Sequence, residues 1–369
     1  MPTKYRFFNY PKRCPAKDYE DSINRIVKKY SGIRDLTALY EWGSVSTPGI
    51  SDIDIVCVFP NRKLSSLSFG KRSTYLSDSR TRYFTVHPFV FIDEKSLNDI
   101  KYINHNIDFK LLYGKRCNIK NLNPKQESQV KVALLNDMII RHYPRDFISQ
   151  LINKEINVRI TLLRLHSIRH TIDILESLTK KRCVSWKSAM EEIQDLRDKW
   201  FERKNTGLLA RLNEEAVYIT MGIIETFRNF LLKSKLVEIS SGNKVMFNGG
   251  KNRSLFIKDW DKDKALKSMI ENQKNLYSVL PLELAPQLIE YSRYKGHISA
   301  HIRKNTESNI TYKIKNRSII KKRAKILNRQ ALLANRLRHS DFPAFFDFGY
   351  RNKSGINNWI VYILDKLRN

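Results

Sequence analysis

Two aspartates two positions apart, Asp52 and Asp54, enter an alternating β-branched run, Ile53–Phe59. Side chains at i and i+2 of a strand point to one face, so these two carboxylates would converge. Like charges held that close raise each other's proton affinity unless a cation lies between them. A hard divalent ion, Mg²⁺ or Mn²⁺, prefers oxygen ligands together with substrate phosphates. Gly43-Ser44 lies just upstream, with seven residues between Ser44 and Asp52. Gly43 permits close backbone approach, and Ser44 with its neighbouring backbone N–H groups can meet a phosphate. The pattern describes a metal–triphosphate site at a sheet edge, with Asp52 and Asp54 on the metal and Gly43 and Ser44 on the nucleotide.

The elements that would position these residues are legible around them. Residues 17–32 read as an amphipathic helix with Ile23, Ile26, Val27 and Tyr30 on one face. Residues 35–42 and 53–59 read as strands joined through the Gly43-Ser44 turn. Residues 82–92 read as a third strand, and 95–112 as a helix. The segment 118–126 reads as a linker. From Gln126 to about Lys235 apolar residues recur at helical spacing, which predicts an antiparallel bundle. Residues 237–258 predict a hairpin excursion, 263–295 and 303–338 further helices, and 356–367 a closing amphipathic helix. The expected fold is α+β: a small mixed-sheet domain over 1–120, a helical bundle over 121–302 and a basic helical segment over 303–369.

Helix, strand, Gly-Ser, spacer and a strand bearing Asp-x-Asp together resemble the DNA polymerase β-type nucleotidyltransferase superfamily, over roughly residues 17–115. The resemblance implies that Asp52 and Asp54 coordinate Mg²⁺ bound to a nucleoside triphosphate. It also implies a third carboxylate on a following strand that activates an acceptor hydroxyl. The implied reaction moves a nucleoside monophosphate onto the acceptor and releases pyrophosphate. RNA, a sugar or aminoglycoside, and a protein hydroxyl are all compatible acceptors. The alternative is a weakened member that binds nucleotide or nucleic acid without turnover.

The third group is where the pattern departs from the family. His87 is the best-placed polar residue on the expected third strand, and an imidazole titrates near neutrality. Asp93 ends that strand and is a second candidate base, or else the cap of the helix beginning near Lys95. Asp108 is a further candidate. The i,i+4 pairs His166/His170 and His297/His301 have zinc-compatible spacing without a third ligand. Arg62, Lys63, Lys71, Arg72, Arg80 and Arg82 surround the loop before the expected third strand, where they could meet triphosphate or acceptor.

Composition bounds the rest. The 369 residues carry 67 Lys or Arg against 37 Asp or Glu, a net charge of +30. The densest stretch, 303–338, holds 12 basic residues and a single acid, Glu307. A field of that sign attracts polyanions, RNA among them. Four separated cysteines without a C-x-x-C pair argue against a disulfide framework and a zinc ribbon. With no apolar run of membrane-spanning length and no secretory leader, the expectation is a cytoplasmic protein.

Overall fold

The computed structural model describes residues 5–61, 76, 78–250, 252–272, 277–337 and 345–351. The N-terminal part runs β1 (Arg6–Phe8), α1 (Ala16–Tyr30), β2 (Ala38–Trp42), β3 (Asp54–Phe59), α2 (Ser79–Phe84), β4 (Val90–Asp93), α3 (Glu94–Asn98) and β5 (Phe109–Gly114). Helices follow: α4 (Pro124–Arg141), α5 (Arg145–Asn153), α6 (Val158–Thr179), α7 (Val184–Asp198), α8 (Trp200–Arg203) and α9 (Thr206–Lys233), with strand β6 (Glu155–Asn157) before α6. The remainder comprises β7 (Val237–Ser241), β8 (Lys244–Gly249), β9 (Asn252–Ile257), α10 (Lys262–Glu271), β10 (Ser278–Pro281), α11 (Ala285–Ser292), α12 (His297–Lys304), β11 (Thr306–Ser308), β12 (Thr311–Ile314) and α13 (Arg317–Arg336). The chain is thus mixed α and β, with small sheets and a largely helical C-terminal region.

The sheet that matters has the order β4-β3-β2-β5. β2 runs antiparallel to β3 and β5, while β3 and β4 are parallel. Strand alternation assigns the two faces. Val56 and Val58 of β3, with Ala38 and Tyr40 of β2, join the apolar cluster that continues into the helices. Ile55, Cys57 and Phe59 turn the other way, against Tyr19, Ile26 and Tyr30 of α1. Burial of each such Val, Ile or Phe is worth about 1.5–3 kcal/mol, so β3 is anchored from both sides. Asp54 shares the face of Val56 and Val58, which places it toward the helical region.

Four expected elements differ. Residues 82–92 are not one strand: Ser79–Phe84 is helical because Asp78 caps it, accepting from Arg80 N and Thr81 N, and β4 holds only Val90–Asp93. A side-chain cap outweighs aromatic and β-branched composition there. The helix over 95–112 stops at Asn98; Asn104 Oδ1 accepts from Asn106 N in a local turn, and Phe109–Gly114 pairs along the open edge of β2. Within 263–295, Ser278–Pro281 is a strand parallel to β9. The helix over 303–338 begins only at Arg317, after two strands that pair with β8 and β7. The tail helix over 356–367 lies outside the described residues.

Helix α13 packs on the sheet domain and the bundle together. Arg323 is fully buried; its Nη2 is 2.5 Å from Asp137 Oδ2 of α4, its Nε donates to Tyr291 Oη at 2.7 Å, and its Nη1 donates to the carbonyls of Tyr102 and Ile103. A buried charge needs that many partners to be tolerated.

Candidate functional site

Asp54 opens β3 opposite Trp42, the last residue of β2. Gly43 and Ser44 therefore leave the sheet beside the aspartate pair. Gly43 has φ +84°, and nothing lies within 4 Å of where a Cβ would project. That is a strained conformation for any other residue, facing open space. Burial, then the nearby Asp52, hold the Asp54 carboxyl well above the ordinary carboxylate range. Asp54 still keeps part of its surface open, so a ligand can reach it.

The loop leading to Asp52 is clamped from three directions. Tyr19 Oη of α1 accepts from Gly49 N and donates to Ser51 O, both at 2.8 Å. Tyr83 Oη of α2 donates to Gly49 O at 2.7 Å and accepts from Lys12 N. Arg159, buried at the start of α6, donates to Tyr83 O at 2.5 Å, Ser51 O at 3.3 Å and Ile50 O at 3.4 Å. Its guanidinium also lies 3.8 Å from the Tyr83 ring centroid. Gly49 has φ +88°, and an added Cβ would meet Lys12 O at 2.2 Å, so only glycine fits. Sequence reading missed all three clamps: their partners are distant in the chain, and a lone Arg or Tyr carries no local signal.

His87 lies in the loop between α2 and β4, not mid-strand, yet it reaches the pair. Its Nε2 is 3.8 Å from Asp52 Oδ2.

Asp93 is at the other end of the sheet, opposite Phe59. That is five residues along β3 from Asp54, roughly 16 Å at ~3.3 Å per residue. It caps α3 by accepting from Ser96 N at 2.9 Å, and Arg329 of α13 grips both its oxygens. The structure therefore does not bring Asp93 to the aspartate pair. Asp108 is exposed just before β5, on the far side of β2 from Asp54 and not in a helix.

Arg197, in the last turn of α7, is a second residue the sequence did not flag. It is 1% exposed, and its Nε and Nη1 have no hydrogen-bond partner. Burial pushes its guanidinium down to about 10, while Asp198 and Asp52 work in the opposite direction. The adjacent Asp198 accepts from Thr47 Oγ1 of the clamped loop at 3.4 Å. Leaving a buried guanidinium short of acceptors is costly, and the nearby negative charges are those of Asp198 and Asp52.

Other expected sites are not assembled. Among the described residues no three His, Cys, Asp or Glu side chains gather as metal ligands. His166 is pushed down to about 4, by burial first and Arg197 second; His170 is lowered by burial. His301 Nε2 lies 3.0 Å from Phe348 O. Arg62, Lys63, Lys71 and Arg72 lie outside the described residues, and Arg80 pairs with Asp18. No helix among the described residues is long and apolar enough to cross a membrane.

No family model, no curated protein and no solved structure matches the chain.

Proposed function

We propose that the chain is a Mg²⁺-dependent nucleotidyltransferase that moves a nucleoside monophosphate from a nucleoside triphosphate to an acceptor hydroxyl. The observation that carries this reading is the Asp52–Asp54 pair beside the open Gly43 turn. Burial and Asp52 both penalise the charge on Asp54, as expected of a carboxylate that works with a cation between it and its neighbour. Two carboxylates supply only part of an octahedral oxygen set, and triphosphate oxygens suit the remainder. Mg²⁺ (or Mn²⁺), when bound, would neutralise charge on the triphosphate and its leaving group.

The chain's own groups then have distinct tasks. Asp52 and Asp54 hold the ion. Backbone N–H groups at Gly43-Ser44 and the Ser44 hydroxyl orient the phosphate tail, and Arg197 offers unsatisfied donors to an anion. His87 is positioned to take the acceptor's proton. The acceptor oxygen forms a bond to the α-phosphorus, the α–β bridging P–O bond breaks, pyrophosphate leaves with the electron pair, and the proton goes to the imidazole.

A second reading is favoured by one observation. Asp93 serves a cap and an ion pair, which leaves His87, a loop residue and not a strand acid, as the candidate base beside Asp52. A chain with a weak base would bind nucleotide without efficient turnover. Pyrophosphate release separates the two readings: His87→Ala should lower kcat by about 10²–10⁴-fold if the imidazole is the base. Mg²⁺–nucleotide should raise the unfolding midpoint under either reading, and Asp54→Asn should remove that shift. No shift with the native chain would refute both.

A further inference from the structure

His87 also lines a cleft of ≈ 440 Å³, set between the β1–β6 ribbon and helices α5 and α6. That volume lies within the ~300–1,000 Å³ of small-molecule sites. We propose that this cleft holds the acceptor, and that the acceptor is a small neutral hydroxyl-rich molecule of sugar type. The inference rests on the nucleotidyl-transfer reading and deepens it.

Three observations carry it. First, His87 both lines the cleft and lies 3.8 Å from Asp52, so a hydroxyl in the cleft would meet the base on the side of the metal–phosphate chemistry. Second, the lining suits a sugar. Phe8 is 40% exposed and offers an aromatic face, while Ser149, Asn153 and Asn157 add neutral polar groups; Gln150 is already engaged, donating to Asn213 Oδ1 and accepting from Thr161 Oγ1. Third, the charges in the lining are already matched. Arg164 pairs with Asp146 at 3.4 Å and Glu155 with Arg6 at 2.5 Å.

A polyanion would need several unmatched cations here. Among the described residues, none of the basic C-terminal stretch lines this cleft, and four of its twelve charges are taken by ion pairs. Arg317 pairs with Glu290, Lys322 with Asp99, Arg323 with Asp137 and Arg329 with Asp93. The transfer keeps its balance: a sugar O–H gives its proton to His87 and its oxygen to the α-phosphorus, and pyrophosphate departs.

Saturation-transfer NMR on the full chain tests the cleft directly. The probes are a hexose, an N-acetylhexosamine, a disaccharide, inositol and a ten-nucleotide oligoribonucleotide. The proposal expects at least one neutral polyol to bind at millimolar concentration. Its signal should fall at least five-fold in Phe8→Ala, and likewise in Ser149→Phe, which fills the cleft. Both variants should keep a cooperative unfolding transition. Failure of every polyol to bind, or binding insensitive to both variants, overturns the proposal. So does oligoribonucleotide binding that Ser149→Phe removes. If Mg²⁺–nucleotide still stabilises the chain in those cases, only the acceptor assignment fails. If no nucleotide stabilises it, the transferase reading fails, and the acceptor role fails with it even where a polyol binds.

Discussion

Arg329 holds Asp93 through both carboxylate oxygens, Nε to Oδ2 at 2.8 Å and Nη2 to Oδ1 at 2.5 Å. This pairing ties α13 to the C-terminal end of β4 while Asp93 also caps α3. It makes Asp93 a joint between the C-terminal helix and the sheet. Asp93→Ala should cost about 2–4 kcal/mol of stability, from one lost cap and one uncompensated, partly buried arginine. Denaturant unfolding checks the loss, and Arg329→Ala combined with it should be less than additive because the two share one interaction.

Asp54 gives a prediction of opposite sign. Its folded-state proton affinity is raised above that of an unfolded aspartate. Such a group contributes stability that is fully present below the unfolded value and is lost as pH rises through the folded one. Without divalent ions, the native chain should therefore lose unfolding midpoint as pH rises from about 4, the ordinary aspartate value. Asp54→Asn should flatten that loss and melt higher than the native chain at neutral pH. Mg²⁺–nucleotide should reverse the order, stabilising only the native chain.

Histidines set the acid side. His142 is pushed down to about 4 by burial and by Arg141, against a contact with Asp146 that raises it. His166 is also pushed down to about 4. A lowered folded value means stability that is present above the unfolded histidine value, ~6.5, and is lost as pH falls toward 4. Both rings keep some solvent exposure, so each share is modest. Urea midpoints measured at pH 7 and pH 4.5 should show His142→Gln gaining stability relative to the native chain as pH falls.

The Gly-Ser turn and the strand that Asp54 opens were legible because their pattern is local; Asp52 lies two residues before β3, so strand alternation does not place it, and its nearness to Asp54 shows in the raised Asp54 carboxyl. The two flanking strands and α1 were legible for the same reason. What escaped depends on distance. β5 reads as helix by composition, and only the unpaired edge of β2 makes it a strand. Asp93 could be a base or a cap until β4 ran parallel to β3 and carried it away from Asp54. Arg159 and Arg197 look like any helix arginines, and their meaning comes from the loop and the carboxylates that α6 and α7 are packed against. In the basic C-terminal run a count of charges likewise gave no view of the partners some of them take, such as Asp137 for Arg323 and Glu290 for Arg317.

Arg197 should behave as an anion-anchoring group and not as packing alone. Arg197→Gln should raise the apparent Kd for Mg²⁺–nucleotide about ten-fold or more, the ~1.5–3 kcal/mol of a charged hydrogen bond. Arg197→Lys should recover part of that loss. A purely structural role would instead lower the unfolding midpoint in both variants equally and leave the Kd of the folded fraction unchanged.

The central claim is nucleotidyl transfer dependent on the aspartate pair, and transfer of label from α-labelled nucleoside triphosphates tests it most directly. The chain is incubated with Mg²⁺ and, separately, with a sugar panel, total RNA and lysate protein, beside the double variant Asp52→Asn/Asp54→Asn. The account predicts label on a sugar-type acceptor with the native chain and none with the double variant. No label on any acceptor, or label that survives loss of both carboxylates, would contradict it.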